Sequence, residues 1–204
     1  MELTIIPFFK TNNMKTYQVT TAASTYPVSL TEAKSHLKVD TTADDTYITS
    51  IIKAATQLSE EYTNRFFIDT VIEQTCSSFA DLQTLFKSKV SAITHVKYYD
   101  SDNSLQTLSA TVYDTQLQYE PSQIQLADDQ SFPSITTRND AVVARYTVGY
   151  GSAASDVPEV IKQAILLTIG NFYQNRASVV IGRISTELPL NVKWLLNTYK
   201  VQIV

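Results

Sequence analysis

Apolar side chains recur every three or four positions in two parts of the chain, one toward each end. This period is typical of amphipathic helices. Ser29 and Glu32 have the spacing of a capping box at the start of the first helical stretch. Later in the chain, Asp156 and Asn191 are typical helix caps, and Pro158 is typical of a first helical turn. The spacing predicts four helices, over about residues 30–38, 44–64, 158–175 and 192–199.

Between the two helical parts, from Phe66 to Tyr150, short alternating runs replace the helical spacing. Alternation with polar breaks indicates strands, and Asp100–Asn103 has the composition of a hairpin turn. We therefore expect an antiparallel sheet of four to six strands. The candidate strands are 68–76, 90–99, 105–113, 123–126 and 141–148. Two shorter β-type stretches, Leu3–Ile6 and Tyr17–Thr20, precede the first helix.

The order of these elements predicts an α+β fold. Each outer helix has an apolar stripe that needs a partner, so the helices must pack together and form an antiparallel helical core. The strands then form an inserted antiparallel β region, with extended arms at both termini. The predicted division is 1–27 for the N-terminal arm, 28–65 and 152–180 for the two parts of the helical core, 66–151 for the β region and 181–204 for the C-terminal arm.

Composition narrows the possible functions. The net charge is −4 and the pI about 5.1, which argues against a surface built to hold phosphate backbones. Cys76 is the single cysteine and the chain has two histidines, so we expect no disulfide, no metal and no cofactor. No apolar run approaches the roughly 18 residues that span a bilayer. The apolar stretch at 3–9 lacks signal-peptide features, so we expect a cytosolic chain without membrane contact.

Several polar clusters have a possible chemical role, but each has a simpler interpretation. Adjacent acids do not converge on one helix or strand face, a lone helical histidine is usually structural, and a buried cysteine without nearby cations is unreactive. We expect no enzyme site. The clusters are Asp100-x-Asp102, Asp44-Asp45, Asp128-Asp129, His36 near Asp40, Cys76, and Glu60-Glu61 with Arg65 as a surface pair.

The C-terminal segment carries large apolar side chains close to its end. Trp194, Tyr199, Ile203 and Val204 have few following residues to cover them. The last 52 residues hold five basic and three acidic residues, whereas the remainder holds 11 and 17. Two interpretations follow: the segment folds back onto the core, or a partner buries it.

Six blocks in fixed order are similar to the head–tail connector, or adaptor, family of tailed bacteriophages. The blocks contain common residue types, and their order and spacing carry the resemblance. They are Pro27–Asp40, Asp44–Arg65, Val96–Asp100, Tyr146–Gly151, Val157–Arg176 and Leu188–Lys200. Residues 1–15 lie outside the family pattern.

The resemblance implies a structural virion protein at the neck, made in the host cytoplasm. Such a protein forms a homo-oligomeric ring, expected to be a dodecamer, below the portal protein. The ring extends the DNA channel, lets DNA pass without specific binding, and offers a surface to a stopper or tail protein. The resemblance also places portal docking in the C-terminal segment, so that truncation after Pro189 would abolish it. The expected docking residues are Leu188, Val192, Trp194, Leu195, Leu196, Tyr199, Lys200 and Ile203.

Other functions stay open at this stage. The nearest alternative is a stopper or tail-tube component of the same machine. A different class is a hydrolase or carbohydrate-binding module that uses the tyrosine-rich strands as a sugar platform, and a further one is an unrelated ligand-binding domain. A pair of acids in a concave aromatic pocket would favour the hydrolase.

Overall fold

The structure is a computed structural model that describes residues 16–176 and 189–201. Within these residues it is an α+β fold, as the sequence predicts. The helices are α1 Leu30–Leu37, α2 Asp45–Thr63, α3 Glu159–Gln174 and α4 Leu190–Asn197. The strands are β1 Thr16–Thr21, β2 Thr70–Cys76, β3 Val90–Tyr99, β4 Leu105–Thr107, β5 Tyr113–Gln116, β6 Gln123–Leu126 and β7 Val142–Val148.

Five strands form one antiparallel sheet in the order β1-β2-β7-β3-β4. Every second residue of β2 and β7 is buried, as strict alternation of side chains between two faces requires. Ile72, Ala144 and Tyr146 are fully buried in the core on that face. β1 pairs with β2, so this part of the predicted N-terminal arm belongs to the sheet.

The prediction of one strand over 105–113 is wrong. The chain leaves the main sheet after β4, and β5 pairs with β6 in a separate two-stranded sheet. The Leu108 amide still donates to the Val96 carbonyl (2.8 Å), but the Ser109 and Thr111 hydroxyls then hydrogen-bond each other across a turn (2.9 Å). Hydroxyl side chains that bond locally compete with a strand ladder, and here they interrupt it.

The helices pack against one another around a second core. The capping box of α1 is present: the Glu32 amide donates to the Ser29 hydroxyl (3.2 Å) and the Ser29 amide to the Glu32 carboxylate (2.7 Å). α2 buries Ile48 and Ile52 against Ile161 and its neighbours on α3. The apolar stripes read from the sequence therefore meet each other. In the described part of the chain, no helix has the length and apolarity to cross a membrane.

Two predicted helix starts move by a few residues. α4 begins at Leu190 directly after Pro189, so Asn191 lies inside the first turn, where its side-chain oxygen accepts the Val192 amide (2.9 Å). Pro158 takes the capping position of α3 and not its first turn. Proline has a fixed φ that suits the helix start and lacks an amide hydrogen, so both prolines mark the boundary well.

Gly149 and Gly151 connect β7 to α3 with positive φ, 151° and 156°. A Cβ on Gly149 would lie 2.6 Å from the backbone nitrogen of Asp69. Only glycine fits both the conformation and this close approach. The loop thereby joins the sheet to the helical layer. The predicted stretch Leu3–Ile6 lies outside the described residues.

Candidate docking surface

Helix α4 has one face inside the subunit and one face in solvent. Val192 and Leu196 are fully buried and pack with Ala164 of α3. Leu190 and Trp194 are 86% and 76% exposed. They are four residues apart, so they lie one turn apart on the same side of the helix. We call Leu190 and Trp194 the outer face of α4.

The segment after α4 is fixed to the end of α2 and the residues that follow it. Tyr199 is half-buried and Val201 is 7% exposed, so the chain closes over this part of the helical layer. The outer face therefore rests on an anchored support. The anchoring hydrogen bonds run from the Tyr62 hydroxyl to Asn197 Oδ1 (2.6 Å), from Arg65 Nε to the Tyr199 carbonyl (2.5 Å) and from the Val201 amide to the Thr63 carbonyl (3.0 Å).

Arg65 connects this segment to the β region. Its guanidinium donates to both carboxylate oxygens of Glu120, and the distance from Nη1 to Oε1 is 2.7 Å. Arg65 itself is only 5% exposed. Burial acts to lower the pKa of Arg65, but the hydrogen bonds to Glu120 together with charge interactions with Glu120, Tyr150 and Tyr199 outweigh it, and the pKa is raised. The same bonds lower the pKa of Glu120. We call Arg65, Glu120 and Tyr199 the C-terminal junction, because it joins α2, the β region and the C-terminal segment.

The predicted surface pair between Arg65 and Glu60-Glu61 is wrong. Arg65 follows the left-handed cap residue Asn64 and turns away from the helix face. Glu61 instead lies 3.5 Å from Lys87. Glu60 accepts the Phe67 amide (2.9 Å), and burial raises its pKa to about 7.

A cavity of about 320 Å³ lies beside α2, between that helix and the β1 end of the sheet. We call it the α2 cavity. Val19, Tyr26 and Phe66 contribute apolar walls, and Thr56 and Glu60 contribute polar groups from α2. The Thr56 hydroxyl is buried and has no hydrogen-bond partner among the described residues. The cavity thus has a mixed lining, in which the bonding of Thr56 and Glu60 is incomplete among the described residues.

The eight predicted docking residues fall into four groups of two. Trp194 and Lys200 are exposed, Leu195 and Tyr199 are half-buried, and Leu188 and Ile203 lie outside the described residues. Val192 and Leu196 are buried in their own subunit, so neither is free to contact a partner. The correction follows from helix geometry: residues 192 and 196 share the face that α3 covers, and residue 194 projects elsewhere.

Three of the other polar candidates, Asp44, Asp45 and Asp100, are engaged in structural bonds. Asp100 accepts the amides of Asp102 (3.0 Å) and Ser104 (2.9 Å) in its turn, which supports the interpretation as a solvated turn. Asp44 and Asp45 diverge: Asp44 bonds the Tyr173 hydroxyl (2.6 Å) and Arg176 (2.7 Å), and Asp45 bonds Lys34 (2.6 Å). Within residues 16–176 and 189–201, no group of three His, Cys, Asp or Glu residues could hold a metal ion.

Three features of this surface were missed by the sequence reasoning. Leu190 could have been found, because it is one helical turn before Trp194. The Arg65–Glu120 pair has no sequence signal, since its partners are 55 positions apart. The half-buried position of Glu60 beside the α2 cavity has no sequence signal either, because an acid at this point of the pattern also suits a surface helix.

An α+β subunit with an apolar helix face in solvent has the form of a protein that assembles with other chains. Residues 27–131 match the phage gp6-like head–tail connector protein family. The chain belongs to this family and is a structural head–tail connector protein. No curated protein sequence matches it significantly.

Solved structures with the same fold come from gene transfer agent (GTA) particles. One, from the neck of an empty GTA particle computed with C6 symmetry, has a TM-score of 0.73 at 20% identity and covers 93% of this chain and 97% of its own. A chain of the native GTA virion has a TM-score of 0.73 at 21% identity and covers 92% of this chain and 96% of its own. A chain from the neck of a native GTA particle computed with C12 symmetry has a TM-score of 0.70 at 20% identity and covers 93% of this chain and 97% of its own.

Proposed function

We propose that the chain forms a closed homo-oligomeric ring in the neck of a virion, between the capsid and the tail. Membership of the connector family supports the role, and similar folds in particle necks computed with C6 and C12 symmetry support a ring, with twelve copies expected. Contacts around such a ring are heterologous, so each copy uses two different surfaces. The domain division from the sequence is part of the proposal, with the helical core and β region providing those surfaces.

The portal protein is the proposed partner of the outer face of α4. The observation that carries this assignment is the exposure of Leu190 and Trp194 on a helix whose opposite side is held in the core. Aromatic side chains on a rigid support are frequent anchors of protein interfaces. Lys200 and Tyr199 lie beyond the helix and add polar and aromatic contacts to the same docking segment.

The ring also extends the DNA channel and presents a surface to a stopper or tail protein. A chain with net charge −4 offers few sites for phosphate, so DNA passes without specific binding. The α2 cavity contributes one carboxylate, Glu60, whereas most glycoside hydrolases use two. This geometry gives no support to the hydrolase alternative.

The test replaces the outer face while leaving the core intact. We expect the double variant Leu190→Ser, Trp194→Ser to bind purified portal at least about tenfold more weakly, because two central anchors are lost. Its unfolding midpoint should match the wild type. Leu58→Ser with Val160→Ser, which removes two exposed apolar side chains from α2 and α3, is the control and should bind normally. Unchanged portal affinity of the first variant would refute the docking assignment.

Substitution is a cleaner test than truncation after Pro189. Removing residues 190–204 also removes Val192 and Leu196 and exposes Ala164 and its neighbours on α3. Failure of the truncated subunit to bind portal would therefore have two explanations, loss of the docking residues and loss of core packing. Failure of the surface variant would have only the first explanation.

A further inference from the structure

Strand β1 lies at the end of the five-stranded sheet with one edge unpaired by any strand in residues 16–176 or 189–201. Its six residues, TYQVTT, carry no charge, and most of them are exposed. Proteins usually protect such an edge with lysine, proline or a covering element, because unpaired amides and carbonyls bind another strand. This edge is therefore suited to receive an extended segment from another chain.

The α2 cavity lies directly beside this edge. Val19 of β1 pairs with Ile72 of β2 and Tyr17 with Gln74, so these side chains share the face that covers the sheet's core. Val19 is 46% exposed and lines the cavity. A strand added to β1 would place every second side chain on the same face. One of those side chains would enter the cavity.

The polar groups of the cavity are one helical turn apart on α2. Thr56 is 4% exposed and its hydroxyl lacks a partner among the described residues. Glu60 uses Oε1 to accept the Phe67 amide, and none of the described cations lies within ion-pair distance of its carboxylate. The Thr56 hydroxyl and the second carboxylate oxygen of Glu60 thus lack a partner among the described residues, and polar groups removed from water are costly without one.

The charges around Glu60 do not supply that donor. Lys87 is buried, lies 3.5 Å from Glu61 and sits over the Tyr17 and Phe66 rings. Lys53 lies on the cavity rim and is exposed. Glu61, on the same helix, adds a repulsive charge. The cations within residues 16–176 and 189–201 thus leave Glu60 without a direct ion pair, and a cationic ligand would supply one.

We propose that the β1 edge and the α2 cavity together bind an extended strand of another protein of the assembly, with a Lys or Arg side chain inserted into the cavity. Its aliphatic stem would contact Val19, Tyr26 and Phe66, and its charged end would meet Glu60 and Thr56. Strand addition of this kind takes affinity from the backbone and specificity from the side-chain pocket. Pairing of β1 with β1 of a second copy is disfavoured, since a self-paired edge closes at two copies and not as a ring.

This inference rests on the proposed function only for the existence of an assembly partner, so its test uses the free subunit. The probe is the blocked peptide acetyl-Thr-Val-Lys-Val-Thr-amide, compared with the same peptide carrying norleucine in place of lysine. NMR titration should shift the amides of β1 with both peptides. We expect the lysine peptide to bind about tenfold tighter, because norleucine keeps the stem and lacks the charged donor.

Two carboxylate variants on α2 test whether Glu60 causes the preference for the lysine peptide. Glu60→Gln keeps an acceptor for the Phe67 amide and should abolish the difference between the peptides. Glu61→Gln, one residue further along the helix, should retain it. Equal binding of both peptides to the wild type, or a lysine preference that survives Glu60→Gln, would overturn the proposal.

A further outcome separates the possible occupants. If sedimentation shows that the free subunit dimerises through β1 and excludes the peptides, the occupant is a second copy and the proposal is wrong. The outer-face variant Leu190→Ser, Trp194→Ser should bind the lysine peptide like the wild type. Failure of portal docking and failure of strand binding are therefore recognised independently.

Discussion

Glu120 and Glu60 are carboxylates in neighbouring parts of the molecule with opposite surroundings. Glu120 belongs to the C-terminal junction, receives two bonds from Arg65, and has a lowered pKa. Glu60 faces the α2 cavity, accepts one backbone amide, and has a pKa raised to about 7 by burial. The difference is a directly bonded cation: Arg65 favours the ionised form of Glu120, whereas at Glu60 burial outweighs the more distant charge of Lys87.

The contrast distinguishes the C-terminal junction, whose charged groups are paired within the subunit, from the α2 cavity, whose polar groups are not fully paired. The C-terminal junction satisfies its charges internally and holds the outer face of α4 in a defined position. Among the described residues, the α2 cavity leaves Glu60 and Thr56 with unused bonding capacity beside a strand edge that has no partner. In a protein that works by assembly, incomplete regions are where partners are expected, and complete regions are where stability is expected.

The largest expected effect tests the packing next to the junction. Leu196→Ala should lower the free energy of unfolding by roughly 3 to 4 kcal/mol, since it removes a fully buried side chain. Trp194→Ser, two positions earlier on the exposed side, should change it by less than about 0.5 kcal/mol. Urea denaturation of both variants measures the difference. Equal destabilisation would show that α4 does not have the two distinct faces described.

Breaking the ion pair of the junction should have the next largest effect. Arg65→Met leaves Glu120 without its cation and should cost about 3 kcal/mol, the lower end for a broken buried pair, because Glu120 is partly exposed. Arg138→Met, which breaks the more exposed pair with Asp140, is the control and should cost less than about 1 kcal/mol. Equal losses in urea denaturation would mean that the junction contributes no more than a surface pair.

The smallest effect concerns the pH dependence of stability. Glu60 has a pKa of about 7 in the folded protein against 4.5 as reference, so the folded state binds its proton more tightly. Binding of this proton stabilises the folded state. The stabilisation is fully present below pH 4.5 and is lost as the pH rises through about 7. From pH 5 to pH 8 the loss should be roughly 2 kcal/mol.

Glu60→Gln isolates this contribution from the other titrating groups. The variant should lose less stability than the wild type between pH 5 and pH 8, because Gln does not ionise. Glu61→Gln should follow the wild type over the same range. Parallel curves for Glu60→Gln and the wild type in urea titrations would exclude an uncompensated carboxyl in the α2 cavity.

Much of the fold was predictable because its signals are local. The period of α2, the capping box at Ser29 and the alternation of β7 each depend on residues within one element. The predicted strand 105–113 failed because hydroxyl bonds around Ser109 interrupt it. The acidic surface pair at Arg65 failed because Asn64 redirects the chain.

The candidate surfaces were predictable only in part. A shortage of covering residues pointed to Trp194, and the structure leaves that side chain exposed. The same reasoning included Val192 and Leu196, because sequence spacing defines which residues share a helix face but not which face another helix covers. The α2 cavity had no signal, since its lining comes from β1, the segment between β1 and α1, α2, and the chain around the start of β2.

By itself, the sequence determined the helix and strand periods, the α+β class and the membership of the connector family. These follow from neighbours along the chain and from the order of the blocks. The tertiary structure alone decided which carboxylate meets Arg65 and which side of α4 remains in solvent. It also placed Glu60, which has no ion-pair partner among the described residues, near the outer edge of β1. Those outcomes depend on desolvation and on contacts between residues far apart in the chain, and both exist only once the layers have packed.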